Sequence, residues 1–298
     1  MSSGIVYRGM TQDQLDAQYN IRAMVPDYPE IFKSWADRSA RAREALKGRS
    51  KIDLGYGPDP AQKLDLFLAK PGAPLLIFIH GGYWRAQDKS EFSYVAEPYV
   101  AAGISVAVVN YRLAPKVTID EIVDDTRQSI AYLHKAAAEH GFDAHRIFIS
   151  GTSAGGHLTV SGLATRWEEF GLPANALKGG CALNGLYDLE PIRLCYLNKE
   201  IGISPETSKR QSVIHHLPTE APPLILSTGG DESEEFQRHQ RDLAAAWHQA
   251  GLVCTVIDQV DGHHFDIIER FIDTNGPLGR AVLELVREAP LRNSRSAR

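Results

Sequence analysis

The chain has 298 residues, 43% of them hydrophobic and 23% charged, which is enough apolar surface for one large domain without disulfide or metal staples. Lys and Arg number 32 against 37 Asp and Glu, a formal charge of −5, and no run gathers five or six like charges, so no nucleic-acid partner is expected. No apolar run reaches the roughly 18–20 residues of a membrane span, and the first residues lack a basic region followed by an apolar one, so a cytoplasmic location without a membrane partner is expected. Cys181, Cys195 and Cys254 are far apart, without metal-ligand spacing, and read as reduced thiols.

In chain order, Thr11 with Gln14 three residues later fits a capping box. The stretch from Pro29 to Leu46 is helical in composition and predicts a left-handed C-cap at Gly48. Residues 1–50 thus form a helical N-terminal arm. From Lys63 onward short apolar runs alternate with amphipathic ones: KLDLFLA, PLLIFIH, a helix near Glu91–Ala102, ISVAVVNY, and a helix from Ile119 to His140. RIFISG, a helix from Ala154, GGCALNG, PLILSTG, a helix from Glu234 to Ala250, VCTVID and a last helix near Pro277–Glu288 follow. Strands that are apolar throughout and alternate with helices predict an α/β fold, a mostly parallel, doubly wound sheet covered on both faces. That domain is expected over residues 51–289. Alternation stops at about 186–222, which reads as a small insertion over the active site, and 290–298 read as a flexible tail.

Gly151-Thr152-Ser153-Ala154-Gly155 matches G-x-S-x-G, a weak signal alone. Its context is stronger, because RIFIS reads as a buried strand entering the motif and AGGHLTVSGLATRW as the helix leaving it, the geometry of a nucleophile elbow. A serine hydroxyl needs a base and an orienting acid to attack a carbonyl, and both should follow Ser153. Gly262-His263-His264-Phe265 lies just past the last predicted strand. His264 is preferred as base, with Phe265 anchoring its loop and His263 facing the pocket mouth. Asp231 and Glu232 follow PLILSTGG directly, and either carboxylate could orient the imidazole. Upstream, PLLIFI ends in His80-Gly81-Gly82-Tyr83-Trp84. The amides of Gly82 and Tyr83, with that of Ala154, are the expected oxyanion hole. His80 reads as a loop brace, and Tyr83 and Trp84 as substrate wall.

Taken together these residues resemble the α/β-hydrolase superfamily. The HGGYW loop, Tyr19-Asn20 in the arm, Tyr111-Arg112-Leu113-Ala114-Pro115, Gly185-Leu186-Tyr187-Asp188-Leu189 and an acid shortly before Glu235-Phe236 are similar to the arylformamidase (kynurenine formamidase) group of esterase-like enzymes. The resemblance implies Ser153 as nucleophile, His264 as base and, four before Phe236, Glu232 as acid, with Asp231 the alternate. Tyr187 joins Trp84 and His263 as expected substrate contacts. Thr152 departs from the histidine common among relatives, which alters packing beside the elbow and no triad role. The implied reaction is acyl transfer from a small-molecule amide or ester, with N-formylkynurenine giving formate and kynurenine. No metal or organic cofactor is required, and a homodimer is compatible with the sequence. The alternatives are a carboxylesterase with the same residues and, from another class, a non-catalytic ligand-binding homologue.

Overall fold

The computed structural model describes residues 4–288. The arm carries α1 (Gln12–Tyr19), α2 (Ile21–Met24) and α3 (Tyr28–Ala45). The Thr11 capping box is present, with Thr11 Oγ1 accepting from the Gln14 amide and Gln14 Oε1 accepting from the Thr11 amide at 2.9 Å. Gly48 does not form the expected left-handed cap. It lies in a 3-10 turn, Lys47–Arg49, that leads straight into β1 (Ser50–Gly55).

Seven more strands follow: β2 (Lys63–Phe67), β3 (Ala73–Ile79), β4 (Ser105–Val109), β5 (Phe142–Thr152), β6 (Gly180–Leu183), β7 (Leu224–Ser227) and β8 (Cys254–Val256). The sheet order is β1-β2-β4-β3-β5-β6-β7-β8. β2 pairs antiparallel with β1 and β4, and every other neighbouring pair is parallel. This is the mostly parallel α/β arrangement that the alternation predicts.

Helices α4 (Ala96–Ala101), α5 (Ile119–His140) and α6 (Ala154–Leu163) connect the central strands. The helix expected over Glu91–Ala102 is only half α-helical, since Lys89–Glu91 and Ser93–Val95 are 3-10 turns. Between β6 and β7 lie α7 (Glu190–Leu194), α8 (Asn198–Ile201) and α9 (Pro205–Gln211). α10 (Glu234–Gln249), α11 (Asp266–Ile272) and α12 (Pro277–Glu288) complete the described chain, and the tail assigned to 290–298 lies outside it.

β3 shows why the strands are apolar throughout. Leu75, Ile77 and Ile79 enter the core under α5, α6 and α10, while Leu76 and Phe78 enter the core under α3, α4, α11 and α12. A strand with period-two side chains and helices on both faces has no solvent face on which to place polar groups. Among the described residues no helix is long and apolar enough to cross a membrane.

The turn after β5 depends on glycine contacts. A Cβ on Gly155 would stand 2.1 Å from the Ile79 carbonyl oxygen, and one on Gly151 would stand 2.4 Å from that of Gly155. The first turn of α6 is thereby seated directly on the end of β3. Gly155→Ala should lower unfolding stability by about 3 kcal/mol, since backbone cannot yield as a side chain can. Urea denaturation checks this, and an unchanged midpoint would contradict the close approach.

Candidate active site

Ser153, Gly81–Trp84, Asn184, Glu232 and His264 all lie just past the C-terminal ends of parallel strands, where open α/β sheets place their ligand crevice. Ser153 adopts φ 57° and ψ −117°. This left-handed conformation of a residue with a Cβ is strained by about 1–3 kcal/mol and is held by the surrounding structure. The Ser153 amide donates to the Leu183 carbonyl at 2.7 Å, tying the elbow to the end of β6. Its Oγ is buried and has no hydrogen-bond partner among the described residues.

His264 Nδ1 donates to Glu232 Oε1 at 2.7 Å. Both side chains are almost completely buried. With Nδ1 carrying the proton, Nε2 presents its lone pair, and this atom too is buried without a partner among the described residues. Ser153 and His264 line the same pocket. Phe236 packs edge-on against the imidazole with ring centres 4.7 Å apart, which fixes the ring plane.

Asp231, the other sequence candidate for the acid, faces elsewhere. One of its carboxylate oxygens accepts from the Gly262 amide at 3.0 Å, and its own amide donates to the Gly262 carbonyl at 3.0 Å. The Gly230 amide donates to the Asp261 carbonyl. These bonds join the loop after β7 to the loop after β8. Gly229 and Gly262 permit the approach, since a Cβ on Gly229 would lie 2.3 Å from the Gly262 carbonyl oxygen. Asn184, which sequence reasoning passed over, adds a third tie. Its side-chain amide donates to the His264 carbonyl at 2.9 Å, and its Oδ1 accepts from the Gly229 amide at 3.2 Å. A non-glycine residue at φ 46° directly after a strand is the structural mark of this position, and the only sequence signal was an Asn-Gly pair following CAL.

The loop after β3 turns through three consecutive left-handed residues, Gly82 (φ 96°), Tyr83 (φ 49°) and Trp84 (φ 56°). The Gly82 carbonyl is turned inward and accepts from the amides of Arg85 and Ala86. The amides of Gly82, Tyr83 and Ala154 donate to no backbone carbonyl among the described residues. A Cβ on Gly81 would lie 3.1 Å from Ser153 Cβ, so the loop passes directly beside the serine.

His80 braces this loop from behind. Its ring is fully buried and stacks on Tyr111 at 4.3 Å, with Nε2 3.1 Å from Asn110 Oδ1 and Nδ1 2.9 Å from the Gly81 carbonyl. Burial holds its pKa below the usual histidine range. The ring is therefore neutral and donates to one of the two oxygens. Tyr111 Oη donates to the Gly81 carbonyl, and Tyr83 Oη to the Tyr19 carbonyl at 2.9 Å, linking the loop to the arm.

The arm itself is pinned by a buried polar network. Tyr19 Oη donates to Glu235 Oε2 at 2.9 Å, and Arg238 makes two hydrogen bonds to the same carboxylate. Burial, together with the neighbouring Arg238, keeps His239 neutral. Its Nδ1 accepts from the Tyr187 amide and its Nε2 lies 3.1 Å from Tyr19 Oη.

The pocket beside Ser153 is a narrow cavity of about 60 Å3. Ile21, Arg22, Phe32 and Trp35 of the arm form one wall, and Arg85, Gln87 and Tyr196 form much of the other. Two of the three expected substrate contacts, Trp84 and Tyr187, are corrected. The left-handed turn at Trp84 sends its indole into the core against His157, and the ring is 0% exposed. Tyr187 is buried under the insertion, its amide held by His239 and its ring filling the space beside Gly185. His263 bonds with Asp266 and opens onto a separate cavity with Met24 and Val25, on the Glu232 side of the imidazole. No group of three or more metal-ligating side chains is found among the described residues.

The BD-FAE family model matches residues 64–178. A kynurenine formamidase of Danio rerio is 28% identical over 94% of this chain and 98% of its own length. A probable isoprenylcysteine alpha-carbonyl methylesterase of Arabidopsis thaliana is 27% identical over 71% of this chain and 50% of its own. Among solved structures, a putative thioesterase of Silicibacter sp. TM1040 superposes with a TM-score of 0.78 at 28% identity, covering 91% of this chain and 99% of that one.

Proposed function

Because the chain is an α/β-hydrolase and its relatives are hydrolases acting on acyl bonds, we propose that this serine hydrolase is an arylformamidase that releases formate from N-formylkynurenine. The observation that carries the reading is similarity to the Danio rerio kynurenine formamidase along nearly the whole of both chains. The narrow cavity beside Ser153 supports it, since formyl is the smallest acyl group, and the aromatic wall of Phe32 and Trp35 suits an aryl leaving group. Three thiols without disulfide partners suit a reducing, cytosolic compartment.

In this mechanism His264 Nε2 takes the Ser153 hydroxyl proton as Oγ adds to the formyl carbon. The amides of Gly82, Tyr83 and Ala154 receive the negative charge that forms on oxygen. Donors fixed before the reaction lower its barrier because they need no reorientation, and each contributes about 3 kcal/mol. Glu232 holds the imidazole in the required tautomer and stabilises the imidazolium. Protonated His264 then delivers its proton to the leaving aryl amine nitrogen as the C–N bond breaks. Water, activated by the same histidine, attacks the formyl-enzyme, so amide plus water gives amine plus formate.

For the wild-type enzyme, kcat/KM on N-formylkynurenine should exceed that on p-nitrophenyl acetate by at least about tenfold, and ester turnover should fall steeply from acetate through butyrate to octanoate. The lost methylene accommodation alone is worth roughly 10-fold or more per step in a closed pocket. Higher turnover of every short ester than of the formamide would replace this reading with a carboxylesterase, whose support is the likeness to the plant methylesterase.

A further inference from the structure

Among the described residues, the walls of the pocket beside Ser153 carry two guanidinium groups, Arg22 and Arg85, and no carboxylate. In a chain of formal charge −5 this is a local reversal of sign. Resting on the formamidase reading, the geometry points to Arg85, assisted at the rim by Arg22, as the group that selects substrates bearing a carboxylate on the leaving-group side.

Arg85 is placed for this by the same turn that aims the oxyanion donors. Its amide donates to the Gly82 carbonyl at 3.0 Å, so the position of its Cα relative to Ser153 is fixed. The side chain is half-buried. One Nη pairs with the carboxylate of Glu200, which is 60% exposed, while Nε is shielded from solvent and has no acceptor among the described residues. A shielded guanidinium donor without an acceptor is unfavourable, and a planar fork is matched by the two oxygens of a carboxylate. Arg22 projects from α2 on the facing arm, stacked over the Tyr28 ring at 5.1 Å, with no ion pair among the described residues. Tyr196 lines the same pocket as the two arginines. An anionic group entering the pocket therefore meets positive charge from both walls, and the aromatic surface between them is left for the ring.

Glu200 supplies an internal control. Its carboxylate occupies part of the Arg85 fork and competes with a substrate anion, so its removal should strengthen binding while removal of Arg85 weakens it. A purely structural ion pair would respond in the same direction to both changes.

The test compares N-formyl-L-kynurenine with N-formylaniline, which lacks the carboxylate, in wild type, Arg85→Gln, Arg22→Gln and Glu200→Gln. Arg85→Gln should raise KM for N-formyl-L-kynurenine by at least about tenfold with kcat within about twofold, and leave N-formylaniline within about twofold. Arg22→Gln should raise the same KM about threefold, and Glu200→Gln should lower it. Equal losses on both substrates, or no change on either, would overturn the assignment. Equal wild-type kcat/KM for the two formamides would overturn carboxylate selection and leave the formamidase reading standing. If neither formamide is hydrolysed and esters are, the formamidase reading fails, and 4-acetoxybenzoate against its methyl ester decides the role of Arg85 by the same comparison.

Discussion

Ser153→Ala should lower kcat by about 10⁶-fold on any substrate the enzyme accepts, with KM little changed. The neighbouring hydroxyl cannot take its place. Thr152 is the neighbouring hydroxyl, but it is the last residue of β5, held in the strand register opposite Leu183, and only the elbow residue Ser153 takes the φ of 57° that lifts a side chain out of the sheet. What remains in the variant is water attack assisted by the oxyanion donors and by binding, roughly 10³–10⁴-fold above the uncatalysed rate. His264→Ala should lose nearly as much, and the double variant little more, because serine and histidine act as one unit. A fluorophosphonate probe gives the parallel readout, labelling wild type and sparing Ser153→Ala. Residual kcat above about 1% of wild type in the serine variant would mean that another residue is the nucleophile.

Glu232→Gln should lower kcat by about 10⁴-fold while Asp231→Asn changes it by less than about threefold. Glutamine keeps the shape of the side chain but can turn an N–H toward His264 Nδ1, which stabilises the tautomer with the proton on Nε2 and removes the lone pair that Ser153 needs. At position 231 the carboxylate oxygen only accepts from the Gly262 amide, and an asparagine oxygen does the same. Its loss should appear as a small fall in thermal stability from loosening the joined loops. Steady-state kinetics with a melting curve for each variant separates the two effects. The reverse ranking would transfer the role of acid to Asp231.

The sequence carried some parts of this architecture more clearly than others, for identifiable reasons. The helices Ile119–His140 and Pro277–Glu288 were readable because each has a strong apolar stripe, and the first also has a capping box at Thr118 and a left-handed Gly141. β1 was not readable. Its residues are half-exposed, and Asp53 at φ 59° shifts the register, so SKIDLG shows no clean alternation. α11 was hidden by its length of seven residues. The nucleophile, the histidine and two candidate acids could be named because each stands beside a strand end with glycines around it. Choosing between Asp231 and Glu232 needed side-chain direction, which adjacent positions in a loop do not encode. Trp84 and Tyr187 were misplaced for the same reason, as aromatic residues at strand ends can turn inward or outward and the backbone decides. The pocket wall made by Ile21, Arg22, Phe32 and Trp35 was missed because it is a contact across the whole chain. The aromatic spacing of Tyr28, Phe32 and Trp35 on one face of α3 was its only trace.

The distance along the chain between the partners that seat the arm bears on when the enzyme becomes active. Tyr19 meets Glu235 across 216 positions, and Tyr7 meets Asp188 across 181. During synthesis Tyr19 must therefore wait for α10, while other parts of the arm can already pack on the segment after β3, where Trp35 meets Phe92 and Tyr83 reaches the Tyr19 carbonyl. At about 5–20 residues per second that wait is roughly 10–40 s. Closing so long a loop also carries an entropic cost that grows only slowly with its length, so the delay is set mainly by synthesis of α10 and less by the search itself. The central strands can pair earlier, but the pocket is complete only once the segment carrying His264 and Phe265 has been made, so hydrolytic activity waits on the residues that follow β8.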